Sequence, residues 1–167
     1  MIDFSAVKEA SNLTKEGGSC GYSDADFRRN NDTIWNSTDA AAVTRALDWI
    51  LAPSRANCPA INDAIFNIAN NRTGNATAER IHQRVMSFLM QNRRSDARTI
   101  TLVREVVFYS SNRARLMPES NRIHCLQWLL RYHPSAPDTR YMINYFLGPT
   151  VSENDVVRQY LINHNIR

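Results

Sequence analysis

From Ser37 to the end the chain keeps one rhythm. Apolar residues recur three and four positions apart, and short polar or proline-bearing breaks interrupt them. Ser37-Thr38-Asp39 is an N-cap cluster whose side-chain oxygens can accept the first free amides of a helix. Val43, Ala46, Leu47, Ile50 and Leu51 then fall on one helical face, and Pro53 closes the run because proline cannot continue the hydrogen-bond ladder. Pro59 opens a second helix, reaching Asn70, with Ile61, Ala64, Ile65 and Ile68 inward. Thr77 opens a third, striped by Ile81, Val85, Phe88 and Leu89.

Ser95-Asp96 opens a fourth, carrying Ile100, Val103 and Val107 and expected to continue to about Arg115. Residues 99–109 are β-branched enough to read as a strand. The spacing of Ile100, Val103 and Val107 favours a helix. Glu119-Ser120 starts a fifth (Ile123, Leu126, Leu129, Leu130), ended by His133-Pro134. Asp138 is read as the cap of a sixth (Tyr141, Ile143, Tyr145, Phe146), which stops at Gly148-Pro149. A seventh runs from Val156 to Asn163. The fold expected is all-α, with about seven helices. They would be stacked antiparallel helical hairpins, as a HEAT/armadillo-like α-α superhelix or an irregular bundle. Residues 36–167 form the helical domain. Residues 1–35 are expected to be an irregular segment with a short helix at 3–12.

A weak periodicity supports the hairpins. Leu47-Asp48-Trp49-Ile50-Leu51, Met86-Ser87-Phe88-Leu89-Met90 and Leu126-Gln127-Trp128-Leu129-Leu130 align, with the aromatics 39 and 40 residues apart. That is the length of one helix–turn–helix unit.

Composition narrows the class. With 167 residues, 43% hydrophobic, the chain can bury one ordinary core, and no stretch approaches the apolar length of a membrane span. The N-terminus lacks the charged and apolar regions of a signal peptide. Cys20, Cys58 and Cys125 are an odd, sparse set without CxxC spacing. They are read as free thiols in a reducing, cytoplasmic compartment, with no structural zinc. Five Asn-x-Ser/Thr triplets, at Asn12, Asn31, Asn36, Asn71 and Asn75, are then read as chance products of an Asn-, Ser- and Thr-rich chain. Eighteen arginines stand against two lysines, Lys8 and Lys15. Lineage bias, a use of arginine for bidentate contacts, and avoidance of the ubiquitin acceptor in a foreign cytoplasm each account for that imbalance.

Gly18-Ser19-Cys20-Gly21-Tyr22 resembles the nucleophile region of papain-like proteases. That resemblance implies a Cys20 thiolate at a helix start, partnered by His82, His124, His133 or His164, in a cysteine-dependent hydrolase or transferase. It spans five residues, and the chain downstream lacks a β-rich half to present the histidine. The histidines have no i,i+4 pairing and no HExxH motif, so neither a metal nor another cofactor is expected. The carboxylates read as single helix caps.

Arg55, Arg93, Arg94, Arg113, Arg115 and Arg131 follow helix ends. There they complement the helix dipole. In stacked hairpins they would also line one edge, suited to an acidic protein surface or a phosphate backbone. The net charge of +4 is modest for a nucleic-acid domain. The functional expectation is therefore a protein–protein interaction module for an acidic partner, such as a bacterial effector or viral accessory protein in a host cell. A nucleic-acid-binding helical array is the alternative.

Overall fold

A computed structural model describes residues 20–71 and 77–167. Among them are nine α-helices and no strand. The helices are α1 (Asp24–Asn36), α2 (Ala40–Leu51), α3 (Pro53–Ala56), α4 (Pro59–Asn70), α5 (Ala78–Asn92), α6 (Ala97–Phe108), α7 (Asn121–Tyr132), α8 (Pro137–Leu147) and α9 (Val156–Asn163), and a 3₁₀ turn, Ala114–Leu116, lies between α6 and α7. The chain divides into two compact units, Met1–Val85 and Met86–Arg167. No helix among the described residues is long and apolar enough to cross a membrane.

In the first unit the periodic positions are the core. Val43, Ala46, Leu47, Ile50, Ile61, Ile65 and Ile68 are buried. Asp39 caps α2, its carboxylate accepting the amides of Ala41 and Ala42. Helix α1 occupies a stretch expected to be irregular. Only Ile34 of it is buried, so it carries no apolar stripe to read. Local polar chemistry supports it instead. Ser23 caps the Asp26 amide, Asp24 and Asp26 face the positive helix end, and they pair with Arg28 and Arg29. The helix expected at 3–12 lies outside the described residues.

In the second unit α6 packs on α7 and α8, and α9 packs on α7 and α8. Leu102, Val103, Val106, Val107, Cys125, Leu126, Trp128, Leu129, Met142, Ile143 and Phe146 are its buried apolar residues on α6, α7 and α8. The fourth helix of the sequence reading ends at Phe108, seven residues early. Tyr109 adopts the left-handed conformation (φ 57°, ψ 35°), and its amide bonds to the Glu105 carbonyl. Glycine is the usual residue in that conformation. Here the Tyr109 hydroxyl, donating to the Met117 carbonyl at 2.9 Å, holds it. Asp138 does not cap α8 either. Ala136 is the N-cap and Pro137 the first helical residue, while Asp138 accepts from Thr101 (3.0 Å) and Arg104 (3.3 Å) on α6.

The three aligned aromatics occupy different surroundings. Trp49 is half-buried, edge-on to Tyr22 at 5.9 Å. Phe88 is half-buried under Arg93. Trp128 is buried, and its indole N–H donates to the Met90 carbonyl at 3.2 Å.

Candidate functional site

Cys20 and Cys58 form a disulfide, with Cα atoms 6.0 Å apart across 38 residues of sequence. This overturns the reducing, cytoplasmic location expected from the cysteine count, because such bonds form and persist in oxidising compartments. It also removes Cys20 as a nucleophile, since its sulfur is bonded to Cys58 and no thiolate is available. Cys125 is the free thiol. Burial in the α7 core pushes it up to about 12, far from a reactive value. The pairing was hidden because sequence separation says nothing about which sulfurs meet. Among the described residues, no group of three His, Cys, Asp or Glu side chains could hold a metal ion.

The six helix-end arginines separate into two groups. Arg55 donates from Nε to the Trp49 carbonyl at 2.7 Å, and its guanidinium lies 4.4 Å from the Trp49 ring centre. Arg115 repeats this arrangement, with Nε donating to the Tyr109 carbonyl at 3.1 Å and the guanidinium 5.7 Å from the Tyr109 ring. In both cases an arginine six residues on, held in a short helical turn, satisfies an orphan carbonyl at a helix end and covers that residue's own ring. Arg113 is ion-paired with Glu105. Arg93 donates to the Asn92 carbonyl at 2.9 Å and covers Phe88 at 5.3 Å.

Arg94 and Arg131 differ from these four. Both are exposed, and both converge on Tyr132. The Arg94 guanidinium is 4.0 Å from the ring centre and that of Arg131 is 5.4 Å. Among the described residues no carboxylate pairs with either. The backbone beneath is fixed, since the His133 Nε2–H donates to the Arg94 carbonyl at 2.7 Å. Trp128 supports the platform from below, 5.8 Å from Tyr132 and 5.2 Å from His133, centre to centre.

Two adjacent clefts flank this platform and share Gln91 and Arg94. The larger, about 480 Å³, follows the turn from Gln91 to Asp96. The smaller, about 230 Å³, is bordered by Ser87, Met90, His124, Trp128 and Tyr132. Asp96 supplies the larger cleft's one carboxylate, and Arg98 already holds it with contacts of 3.1 and 2.9 Å. The Arg98 guanidinium keeps its carboxyl below the usual carboxylate range, aided by the Arg98 amide and by Arg93. Arg94 therefore presents its charge outward. His124, a candidate general base on sequence grounds, is an exposed wall of the smaller cleft with no free cysteine thiolate to activate.

The sequence pattern points to Arg94 and Arg131 but not to Tyr132, the ring that joins them. The signal available was the adjacency of Arg131 and Tyr132 at the end of α7. No protein family, curated protein or solved structure matches the chain.

Proposed function

We propose that this protein is an interaction module that binds an acidic segment of a protein partner through Arg94, Arg131 and the Tyr132 ring between them. The contrast among the six arginines carries the reading. Four are bonded to a backbone carbonyl or a carboxylate, whereas among the described residues Arg94 and Arg131 have no such bond and only cover the Tyr132 ring. Guanidinium groups bind carboxylates as planar forks, and arginine and tyrosine are the residues that most often dominate binding energy at interfaces. The flanking clefts offer room for the side chains around the acidic group.

A phosphate backbone is the weaker fit. Nucleic-acid binding draws on a continuous basic stripe, and four of the six arginines here are tied to the fold. The lysine-poor composition loses one of its three explanations, because escape from cytoplasmic ubiquitination has no bearing on a disulfide-bonded chain. The interaction reading does not need that explanation.

Fluorescence anisotropy at low salt separates these readings, with a labelled Glu-rich peptide and a labelled single-stranded oligonucleotide as probes. Saturable binding of the peptide, weakened by Arg94→Glu and absent for the oligonucleotide, is the expected result. Binding of the oligonucleotide alone, with a steep loss of affinity as salt rises, would favour the nucleic-acid reading instead.

A further inference from the structure

The disulfide changes the meaning of the Asn-x-Ser/Thr triplets. Random placement of 17 asparagines among 23 serines and threonines in 167 residues gives about two such triplets. The chain has five, and all lie in its first 77 residues. Residues 86–167 hold seven asparagines and no triplet. In eukaryotes the compartment that oxidises cysteine pairs, the lumen of the secretory pathway, is also where such triplets are glycosylated.

We propose that Asn36 carries an N-linked glycan. Asn36 is the last residue of α1 and is exposed. Ser37 then leaves the helix in an extended conformation (φ −74°, ψ 142°), and Thr38 is exposed. The triplet Asn36-Ser37-Thr38 thus sits at a surface helix exit, with threonine as its third residue. Asn36 donates from Nδ2 to the Asp32 carboxylate at 2.8 Å. An amide nitrogen has two hydrogens, and glycosylation takes one, so the other can keep this bond. Asn31, five residues earlier on the same helix, differs. It is half-buried, and its Oδ1 is fully buried with no hydrogen-bond partner. The half-buried side chain of Asn31, inside the helix, leaves a bulky sugar less room than the exposed helix exit at Asn36.

The reaction is a glycosyl transfer from a polyprenyl-pyrophosphate oligosaccharide. Nδ2 bonds to C1 of the first sugar and loses a proton. The bond from C1 to the pyrophosphate oxygen breaks, and the pyrophosphate leaves with the electron pair. The modification falls in the first unit and leaves residues 86–167, with the Tyr132 platform, without a triplet for the enzyme to use.

The test is site mapping on protein purified from its source. Peptide-N-glycosidase in heavy-oxygen water converts each glycosylated asparagine to labelled aspartate, and fragmentation of the tryptic peptide covering 30–45 locates the label. Label at 36 and none at 31 is expected. An unlabelled Asn36, or label at Asn31 in its place, overturns the proposal. As a second readout, Thr38→Ala, secreted from cultured eukaryotic cells, should be lighter than wild type by one glycan and Thr38→Ser should not. Equal masses for wild type and Thr38→Ala would also overturn it.

Discussion

The Arg122 guanidinium, on α7, reaches the Asp155 carboxylate at 3.3 Å, and Asp155 is the residue that caps α9. Arg122 is 8% exposed, and it also donates from Nε to the Val107 carbonyl at 2.9 Å at the end of α6. One buried cation therefore ties three helices of the second unit. Asp155 is part-exposed and keeps its cap bonds to the Val157 and Arg158 amides, so the loss is that of charged hydrogen bonds rather than of a stranded buried charge. Arg122→Ala should cost about 1.5–3 kcal/mol in chemical denaturation. A loss below about 1 kcal/mol, the range of a surface pair, would show that the pair is effectively solvated.

The Cys20–Cys58 bond closes a loop across 38 residues of sequence. By loop-closure entropy it stabilises the first unit by about 4 kcal/mol. The Cys20→Ser, Cys58→Ser double variant should lower the urea midpoint accordingly, and reductant should do the same to wild type while leaving the variant unchanged.

Arg55 and Arg115 test whether helix-end arginines work within the fold. Arg55→Ala removes a carbonyl bond and a stacked cation, and should cost about 1–2 kcal/mol. Arg55→Lys should recover only part of this, because an ammonium cannot reproduce the planar contact. Equal stability of wild type and Arg55→Ala would return Arg55 to the list of binding residues.

Asp96 gives a pH signature. Its carboxyl is held below the ordinary range in the folded chain, chiefly by Arg98. A lowered folded value means the stabilisation is present above the unfolded value and fades as pH falls through the folded one. Thermal stability should therefore decline on strong acidification, and Asp96→Asn, which keeps a capping oxygen, should flatten part of that decline. The variant and wild type should converge at the lowest pH. Parallel curves would assign the acid sensitivity elsewhere.

The parts of the fold that depend on apolar spacing were legible from the sequence. Val43, Ala46, Leu47, Ile50, Ile61, Ile65 and Ile68 point inward as their period requires, and Asp39 and Asp96 stand at helix starts. The misses have two causes. Helix α1 is held by local caps and ion pairs rather than a stripe. The end of α6 is set by Tyr109 bonding to Met117 eight residues on, and Asp138 is claimed by α6 instead of its own helix. The disulfide joins residues whose separation carries no signal. The last three depend on a partner distant in sequence, which an apolar period does not report. The arginines illustrate the same limit, because their positions were legible and their partners were not.

The most direct test of the central claim is the affinity of the labelled Glu-rich peptide for wild type, for the Arg94→Glu, Arg131→Glu double variant, and for Arg80→Glu. Arg80 is exposed in the first unit and serves as a charge control. All three proteins should match in circular dichroism and melting. The double variant should bind at least about tenfold more weakly, and Arg80→Glu should stay within about twofold of wild type. A folded double variant that binds as wild type does would contradict the assignment of the Tyr132 platform as the binding site.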